Sequence, residues 1–191
     1  MNPEELEEHH LLQRLLKKES SAWKEVYTSY SGKLTAICCR YIMGQDDRRD
    51  VLQNSFVNMF TNIHQFENRG KGALRAWMSR IVVNESLQFL KKNGNPFDAN
   101  ETQWESIAAE ESETEPTLDT MTSSEIMEHI QMLPDGYRTV FNLYVFEEKS
   151  HQEIAQLLGI SEGTSASQFS RAKKVLATQI KKYQLSKTSV L

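Results

Sequence analysis

Helical spacing of apolar residues runs through almost the whole sequence, and it limits the chain to an all-α fold. No convincing segment alternates apolar and polar residues as a half-buried strand does. In the first half of the chain, the spacing and the capping residues predict four helices. The first covers residues 3–18, and the second runs from a cap at Ser20 or Ser21 to about Met43. The third runs from a cap at Asp46 through Ile63, and the fourth from Ala73 to about Lys92. Together these helices are expected to form one small helical domain.

Two apolar stripes are predicted to build the core of this first domain. The second helix contributes Trp23, Val26, Tyr27, Tyr30, Leu34, Ile37 and Tyr41, and the third contributes Val51, Leu52, Phe56, Phe60 and Ile63. The adjacent Cys38 and Cys39 are interpreted as small buried residues of the second helix, because neighbouring cysteines rarely form a disulfide. Neither a redox nor a metal role is expected of them.

An acidic segment separates this domain from the rest of the chain. Residues 95–123 carry eight acidic side chains and no Lys or Arg. Few large apolar residues lie among them, so burial cannot offset the entropy of ordering, and a flexible linker is expected. The predicted organisation is two small all-α domains, residues 1–94 and 124–191, joined by this acidic linker. Composition alone leaves open whether the linker has a role or is a solvated loop.

The second domain is predicted to contain a helix-turn-helix. Ser150 and Glu153 form the S-x-x-E pattern of a capping box at the start of a short helix. Gly159 supplies the left-handed residue that ends this helix, and Ser161 caps the last helix two residues later. A short helix, a tight glycine turn and a longer second helix are typical of DNA-reading modules. A plain helical hairpin is the alternative interpretation.

The last helix has two different faces. Ser165, Phe169, Ala172 and Leu176 are expected to face inward. The opposite face carries small residues first and basic residues later, in the order Ala166, Ser167, Ser170, Arg171 and Lys174. Small side chains let a helix approach base edges while the cations meet phosphates, so this face is predicted to bind DNA. The net charge of -4 argues mildly against this function, although no acidic residue follows Glu162.

Catalysis and membrane insertion receive no support from the sequence. His, Cys and carboxylate residues do not cluster at metal-ligand spacing, and no glycine-rich phosphate loop follows a strand. No catalytic residue, metal or cofactor is therefore expected. No apolar run approaches the ~20 residues that span a bilayer, and the acidic N-terminus does not resemble a signal peptide. The expected location is the cytoplasm.

Motifs in both domains resemble one known family. The run S-H-Q-E-I-A-Q-L-L-G-I-S-E-G-T-S-A-S-Q-F-S-R-A, preceded by L-P-D-G-Y-R, is similar to region 4 of the extracytoplasmic-function sigma factors. D-D-R-R-D-V-L-Q-N-S-F-V-N-M-F and F-E-N-R-G-K-G-A-L-R-A-W-M-S-R-I-V-V-N resemble region 2 of the same family. The resemblance implies a bacterial factor that is not an enzyme and that directs core RNA polymerase to promoters. It also implies an anti-sigma factor as a partner.

In region 2, the resemblance implies two functions. Asp50, Gln53 and Asn54 match the helix that binds the clamp of the polymerase, with Asn54 standing where an acid is more common. Phe66, the loop from Glu67 to Gly72 and Asn84 match the elements that hold a base flipped from the minus-ten element. Asn68 lies in that loop, and Arg69, Lys71 and Arg80 suit phosphates. Phe66 and Asn84 are expected to converge on one base pocket, whereas Trp77 is expected in the core.

In region 4, the resemblance assigns minus-thirty-five recognition to Ala166, Ser167, Ser170 and Arg171. Gln168 stands where the family usually has Arg, and it is predicted to hydrogen-bond adenine or phosphate instead. Ser165 stands where an apolar residue is usual. A classical regulator, which binds duplex DNA without polymerase, is the alternative function. The region 2 motifs count against it, because a sensing domain has no use for the loop F-E-N-R-G-K-G.

Overall fold

The computed structural model describes residues 3–94, 96–97 and 121–188, and nearly all of them lie in helices or short connections between helices. The chain divides into two compact units, Met1–Leu90 and Lys91–Leu191. Within the described ranges there is no strand, which confirms the all-α prediction. Most of the predicted acidic linker, residues 95 and 98–120, lies outside the described residues.

The first unit contains four α-helices in the predicted order. They are α1 (Pro3–Leu16), α2 (Ser20–Cys39), α3 (Gln45–Asn62) and α4 (Ala73–Lys92), with a 3₁₀ turn at Ile63–Gln65. Two predicted caps are wrong. The residue before α2 is Glu19 and the residue before α3 is Gly44, and neither provides a side-chain cap. Asp46 instead lies in the first turn of α3, where its negative charge interacts favourably with the positive end of the helix dipole.

The buried face of α3 differs by one residue from the predicted apolar stripe, with Ser55 and Met59 buried in place of Phe56 and Phe60. The buried residues are Val51, Ser55, Met59 and Ile63, at spacings of four. Ser55 is tolerated inside because its hydroxyl donates to the Val51 carbonyl at 2.7 Å. Phe60 is therefore 42% exposed, and Tyr27 of α2 is 59% exposed, so both are wrongly predicted as core residues.

The second unit contains the predicted helix-turn-helix and the helices that support it. The helices are α5 (Ser123–Gln131), α6 (Asp135–Val145), α7 (His151–Leu158) and α8 (Glu162–Thr188). Ser150 and Glu153 form the predicted capping box at α7, and Gly159 ends that helix with a φ of 78°, so both predictions are confirmed. Ile130, Leu133, Tyr137, Ala172, Val175 and Leu176 form a buried cluster among α5, α6 and α8.

The far end of α8 is joined to the start of α5 by polar contacts around one carboxylate. Glu125 accepts hydrogen bonds from the Tyr183 hydroxyl and, at 2.6 Å, from the Lys187 ammonium. The pKa of the Glu125 carboxyl is held well below its usual range. The hydrogen bond from Lys187 has the largest effect, and those from Tyr183 and the Thr122 cap add to it. Because Lys187 and Tyr183 both lie near the end of α8, this cluster fixes its last turns against α5.

No helix in residues 3–94 or 121–188 combines the length and the apolar character that a membrane span requires. The same described ranges contain no group of three His, Cys, Asp or Glu side chains arranged to hold a metal ion.

The two cysteines occupy different environments, and a chemical difference follows. Cys38 is completely buried, and burial raises the pKa of its thiol to about 11, whereas Cys39 is only half-buried. The Ser86 hydroxyl also lies 4.0 Å from the Cys38 sulfur. We expect iodoacetamide at pH 8 to alkylate Cys38 of the folded protein much more slowly than Cys39, because the thiolate is the reactive form.

Mass spectrometry of the labelled peptides measures both rates, and the urea-unfolded protein is the control in which the two cysteines should react alike. Labelling of Cys38 as fast as Cys39 in the folded protein would contradict the packing of α2 described above.

Candidate nucleic-acid and polymerase interfaces

A small cavity opens where the 3₁₀ turn meets the start of α4. Ile63 is buried and begins the turn, and the Phe66 amide closes it by donating to the Ile63 carbonyl at 3.1 Å. Phe66 and Trp77 then face each other with ring centroids 5.6 Å apart. The cavity has a volume of about 320 Å³ and is lined by Gln65, Phe66, Glu67, Arg69, Ala73, Ala76, Trp77 and Arg80. It therefore combines two aromatic walls with two cations.

The segment from Glu67 to Gly72, called the glycine loop below, has a defined shape. The Asn68 side-chain oxygen accepts a hydrogen bond from the Gly70 amide at 3.0 Å. Gly70 and Gly72 have φ angles of 111° and 77°, a backbone region that side chains disfavour. Asn68, Arg69 and Lys71 are exposed on this loop. The exposed Arg69 guanidinium pairs with Glu67 at 2.9 Å. The loop thus presents polar side chains on a constrained backbone.

Asn84 does not line the cavity with Phe66. It is exposed on α4, one turn beyond Arg80 and on the same face of the helix. The structure therefore brings together Phe66, Arg69 and Arg80 of the predicted minus-ten residues, with Asn84 beside the cavity. Trp77, which was expected in the core, is only half-buried and lines the cavity in contact with Phe66.

The predicted polymerase-binding residues lie on the outer face of α3. Asp50, Gln53 and Asn54 are all exposed. Gln53 also borders an apolar groove of about 740 Å³ between α2 and α3. Trp23 contacts Phe60 across the groove with ring centroids 5.2 Å apart. Sequence reasoning missed this groove because it assigned its aromatic residues to the core.

A second aromatic pair lines the same groove. Tyr27 and Phe56 have ring centroids 5.3 Å apart, and both residues border the groove together with the exposed Val57. Contiguous apolar surface of this kind is uncommon on a soluble domain unless something binds there.

The helix-turn-helix in the second unit is held by hydrogen bonds at the start of α8. Ser161 accepts from the Thr164 amide at 2.9 Å, which confirms it as the cap. The buried Ser165 hydroxyl lies 3.0 Å from Nδ1 of His151, the first residue of α7. This pair explains how a polar residue occupies a position where an apolar one is usual. Phe169 also packs on Tyr144 of α6, with ring centroids 4.3 Å apart.

The outer face of α8 agrees in part with the predicted DNA surface. Ser167, Ser170 and Lys174 are exposed, while Ala166 and Arg171 are half-buried. Lys173 is also exposed and was missed; its ammonium lies 5.1 Å from the centre of the Phe169 ring.

Gln168 does not share this outer face. It is 4% exposed, and its amide nitrogen donates to the Phe97 carbonyl at 2.8 Å. Its spacing from the buried Ser165 and Ala172 places it on the inner face of α8, so in this structure it is not presented with the other predicted DNA-binding residues.

A close backbone approach accompanies the Gln168 contact. Gly136, in the first turn of α6, lies so near the Pro96 carbonyl that an added Cβ would stand 2.8 Å from that oxygen. Phe97 itself is completely buried. Residues 96–97 thus form part of the second unit, although they were predicted to belong to the flexible linker.

Two models of one protein family match successive parts of this chain. Residues 26–95 match Sigma-70 region 2 and residues 123–176 match Sigma-70 region 4. The ECF RNA polymerase sigma-E factor of Haemophilus influenzae is 28% identical, over 93% of this chain and 97% of its own. The ECF RNA polymerase sigma factor SigW of Bacillus subtilis is 26% identical, over 89% of this chain and 95% of its own.

A solved structure, that of CnrH in complex with the cytosolic domain of CnrY, covers 90% of this chain and 95% of its own, with 19% identity and a TM-score of 0.47. The two family matches follow each other along the chain, and each falls on the unit that carries the corresponding candidate interface. The chain therefore belongs to the sigma-70 family, in its extracytoplasmic-function group.

Proposed function

We propose that this sigma factor binds core RNA polymerase through α3, reads the minus-thirty-five element with the outer face of α8, and melts the minus-ten element with the cavity that Phe66 and Trp77 line. The observation that carries the proposal is this cavity, because a duplex-reading regulator has no need of it. Its two aromatic walls and the neighbouring Arg69 and Arg80 suit an unstacked base and its phosphates.

The chemistry of the cavity fits one base better than a larger ligand. Its volume of about 320 Å³ is at the small end of ligand pockets. Stacking on an aromatic side chain is worth ~1–3 kcal/mol per base and tolerates any base, since every base has a π-face. Recognition of a particular base then requires polar groups at its edge. Gln65 lines the cavity, and Asn84 lies beside it on α4.

Duplex reading is assigned to the first half of α8. Ser167 and Ser170 are small and exposed, so the helix can lie close to base edges in the major groove. Arg171 and Lys174 follow one turn later and are suited to a base or a phosphate. Gln168 would have to leave its contact with the Phe97 carbonyl before it could take part.

Polymerase binding is assigned to α3 and the groove beside it. The exposed Asp50, Gln53 and Asn54 give polar contacts, and the aromatic groove gives apolar area. An anti-sigma factor is a further proposed partner. By covering these surfaces it would compete with core polymerase for the protein. The proposal places the protein in the cytoplasm, where polymerase and promoter DNA meet.

Dependence on polymerase separates this function from that of a classical regulator. We expect the isolated protein to bind promoter duplex weakly, because each DNA-facing surface is small and the net charge is -4. Addition of core polymerase should produce specific initiation on promoters selected from a randomised duplex library. Co-purification with core polymerase and fluorescence anisotropy measure the two properties. Tight, specific binding of the duplex by the protein alone would instead indicate the regulator.

The recognition helix is tested by two substitutions with different expected signatures. Arg171→Ala should weaken initiation in a sequence-dependent manner, by about 1–3 kcal/mol if the side chain reads a base. Lys174→Ala should weaken it on all promoters alike and reduce the salt dependence by about one counterion. Lys24→Ala removes the same charge from an exposed position on α2 and serves as the matched control. Unchanged initiation by both α8 variants would contradict the assignment of this face.

Two phenylalanines separate melting from polymerase binding. Phe66→Ala removes a wall of the cavity, so open-complex formation on duplex promoters should fall about tenfold or more while core binding is retained. Phe60→Ala removes an aromatic side chain from the groove between α2 and α3, so it should weaken core binding instead. Stopped-flow measurement of promoter melting and a core-binding titration give the two values for each variant.

A pre-melted promoter bubble should recover only part of the loss in Phe66→Ala, since the flipped base still lacks its wall. Asn84→Ala tests the polar edge in the same assay and is expected to weaken melting without reducing the thermal stability. If Phe66→Ala lowers both the melting temperature and core binding, Phe66 is a packing residue and the cavity assignment fails.

A further inference from the structure

A carboxylate on α1 is bonded to the end of the glycine loop. The two oxygens of Glu8 accept hydrogen bonds from the backbone amides of Gly72 and Leu74, each at 3.0 Å. The donors are 64 and 66 residues away along the chain. Neither α1 nor Glu8 belongs to the interfaces described above, and Glu8 lies in a region of the sequence that precedes the match to region 2.

The position of this carboxylate has a clear physical reason. The first backbone amides of a helix have no acceptor within the helix, and a negative charge there is favoured by the helix dipole. Most helices receive their acceptor from a side chain at the residue just before the first turn. At α4 that residue is Gly72, which has no side chain and whose φ of 77° disfavours one. Glu8 supplies the acceptor from another helix.

The same contact fixes the end of the loop that forms the cavity. At its start, the loop is set by the Phe66 amide on the Ile63 carbonyl, and in its middle by Asn68 on the Gly70 amide. At its end, the Ala73 amide donates to the Gly70 carbonyl at 3.1 Å and Glu8 bonds the two flanking amides. Hydrogen bonds to a charged acceptor are about twice as strong as neutral ones, so the Glu8 contact restrains the loop strongly.

We propose that Glu8 is a positioning residue for promoter melting: by bonding Gly72 and Leu74 it ties α1 to the glycine loop and holds Arg69 and the wall at Phe66 in the geometry that receives an unstacked base. This inference rests on the proposed function of the cavity. It assigns a task to α1, whose acidic first turns would otherwise be only a solvated face.

The neighbouring glutamate provides a matched control. Glu7 carries the same charge on the same helix and lines the same surface pocket as Glu8 and Gly72, which is separate from the aromatic groove, but Glu7 is exposed. Glu7→Ala should therefore leave the loop and melting unchanged. Glu8→Ala removes both bonds, and Glu8→Gln keeps one oxygen acceptor without the charge. Glu8→Gln is the variant to use if Glu8→Ala does not fold.

The first measurement concerns the free full-length protein and needs no DNA. Hydrogen exchange of the Gly72 and Leu74 amides, followed by NMR, should be at least about tenfold faster in Glu8→Ala than in the wild type or Glu7→Ala. Glu8→Gln should give an intermediate rate. Unchanged exchange of these two amides in Glu8→Ala would overturn the contact itself.

The second measurement concerns the holoenzyme, assembled from core polymerase and each variant. The probes are a promoter duplex selected from a randomised library by the wild-type holoenzyme, and the single non-template strand of its minus-ten element. In Glu8→Ala, binding of the single strand and open-complex formation should fall about tenfold, with core binding and duplex capture unchanged, and Glu8→Gln should restore part of the loss. A purely structural cap would not change single-strand binding. If Glu8→Ala speeds exchange of the Gly72 and Leu74 amides but leaves single-strand binding unchanged, the positioning role is overturned.

The failure of the proposed function has a different signature. If the wild-type holoenzyme selects no promoter and does not bind single strands, the cavity has no such function, and the positioning role falls with it even where the amide exchange confirms the bond. If the wild-type holoenzyme is active and the Glu8→Ala holoenzyme binds single strands and forms open complexes equally well, the proposed function stands and the role of Glu8 is wrong.

Discussion

Both features proposed to face DNA stand at the start of a helix, where backbone amides need acceptors that the helix does not supply. At α8 the acceptor is the hydroxyl of Ser161, next to the turn of the helix-turn-helix. At α4 it is the carboxylate of Glu8, which comes from a different helix. The local solution fixes only the helix that it caps. The distant solution also ties α1 to the end of the loop that precedes α4.

The first unit leaves aromatic surface exposed that a self-sufficient domain would bury. Tyr27 and Phe60 are on the surface, while the small Ser55 lies inside. Burial of a large aromatic side chain is worth roughly 1.5–3 kcal/mol, so exposing several of them reduces the stability of the unit by itself. The same residues gain that free energy when a partner covers the groove. The same side chains would therefore affect both the stability of the free unit and the binding of a partner at the groove.

The sequence predicted those features that are set by neighbours along the chain. The order of helices, the capping box at Ser150 and the glycine end of α7 are all confirmed, because each depends on a few adjacent residues. The core register of α3 was wrong, because hydrophobicity alone favours Phe56 over Ser55 and gives no account of the hydroxyl bond to Val51. The partners of Ser165 and Glu8 could not be predicted, since each contact joins two elements whose packing is a property of the folded chain. For the candidate site, the sequence predicted Phe66 and Arg80 but not Trp77, because periodicity does not distinguish a core aromatic residue from one that lines a surface cavity.

Because α8 is long, the bonds of Glu125 restrain it far from its first turn. With 27 residues, this helix extends for about 40 Å. Its first half carries the residues proposed to face DNA, whereas Tyr183 and Lys187 anchor its far end to α5. The first half is also held, because Phe169 packs on Tyr144 and the Ser165 hydroxyl lies 3.0 Å from Nδ1 of His151, so the helix is restrained at two separated points. A helix held at two separated points resists bending more than one held at a single end, so the bonds of Glu125 would stiffen the proposed DNA-binding face without contacting it.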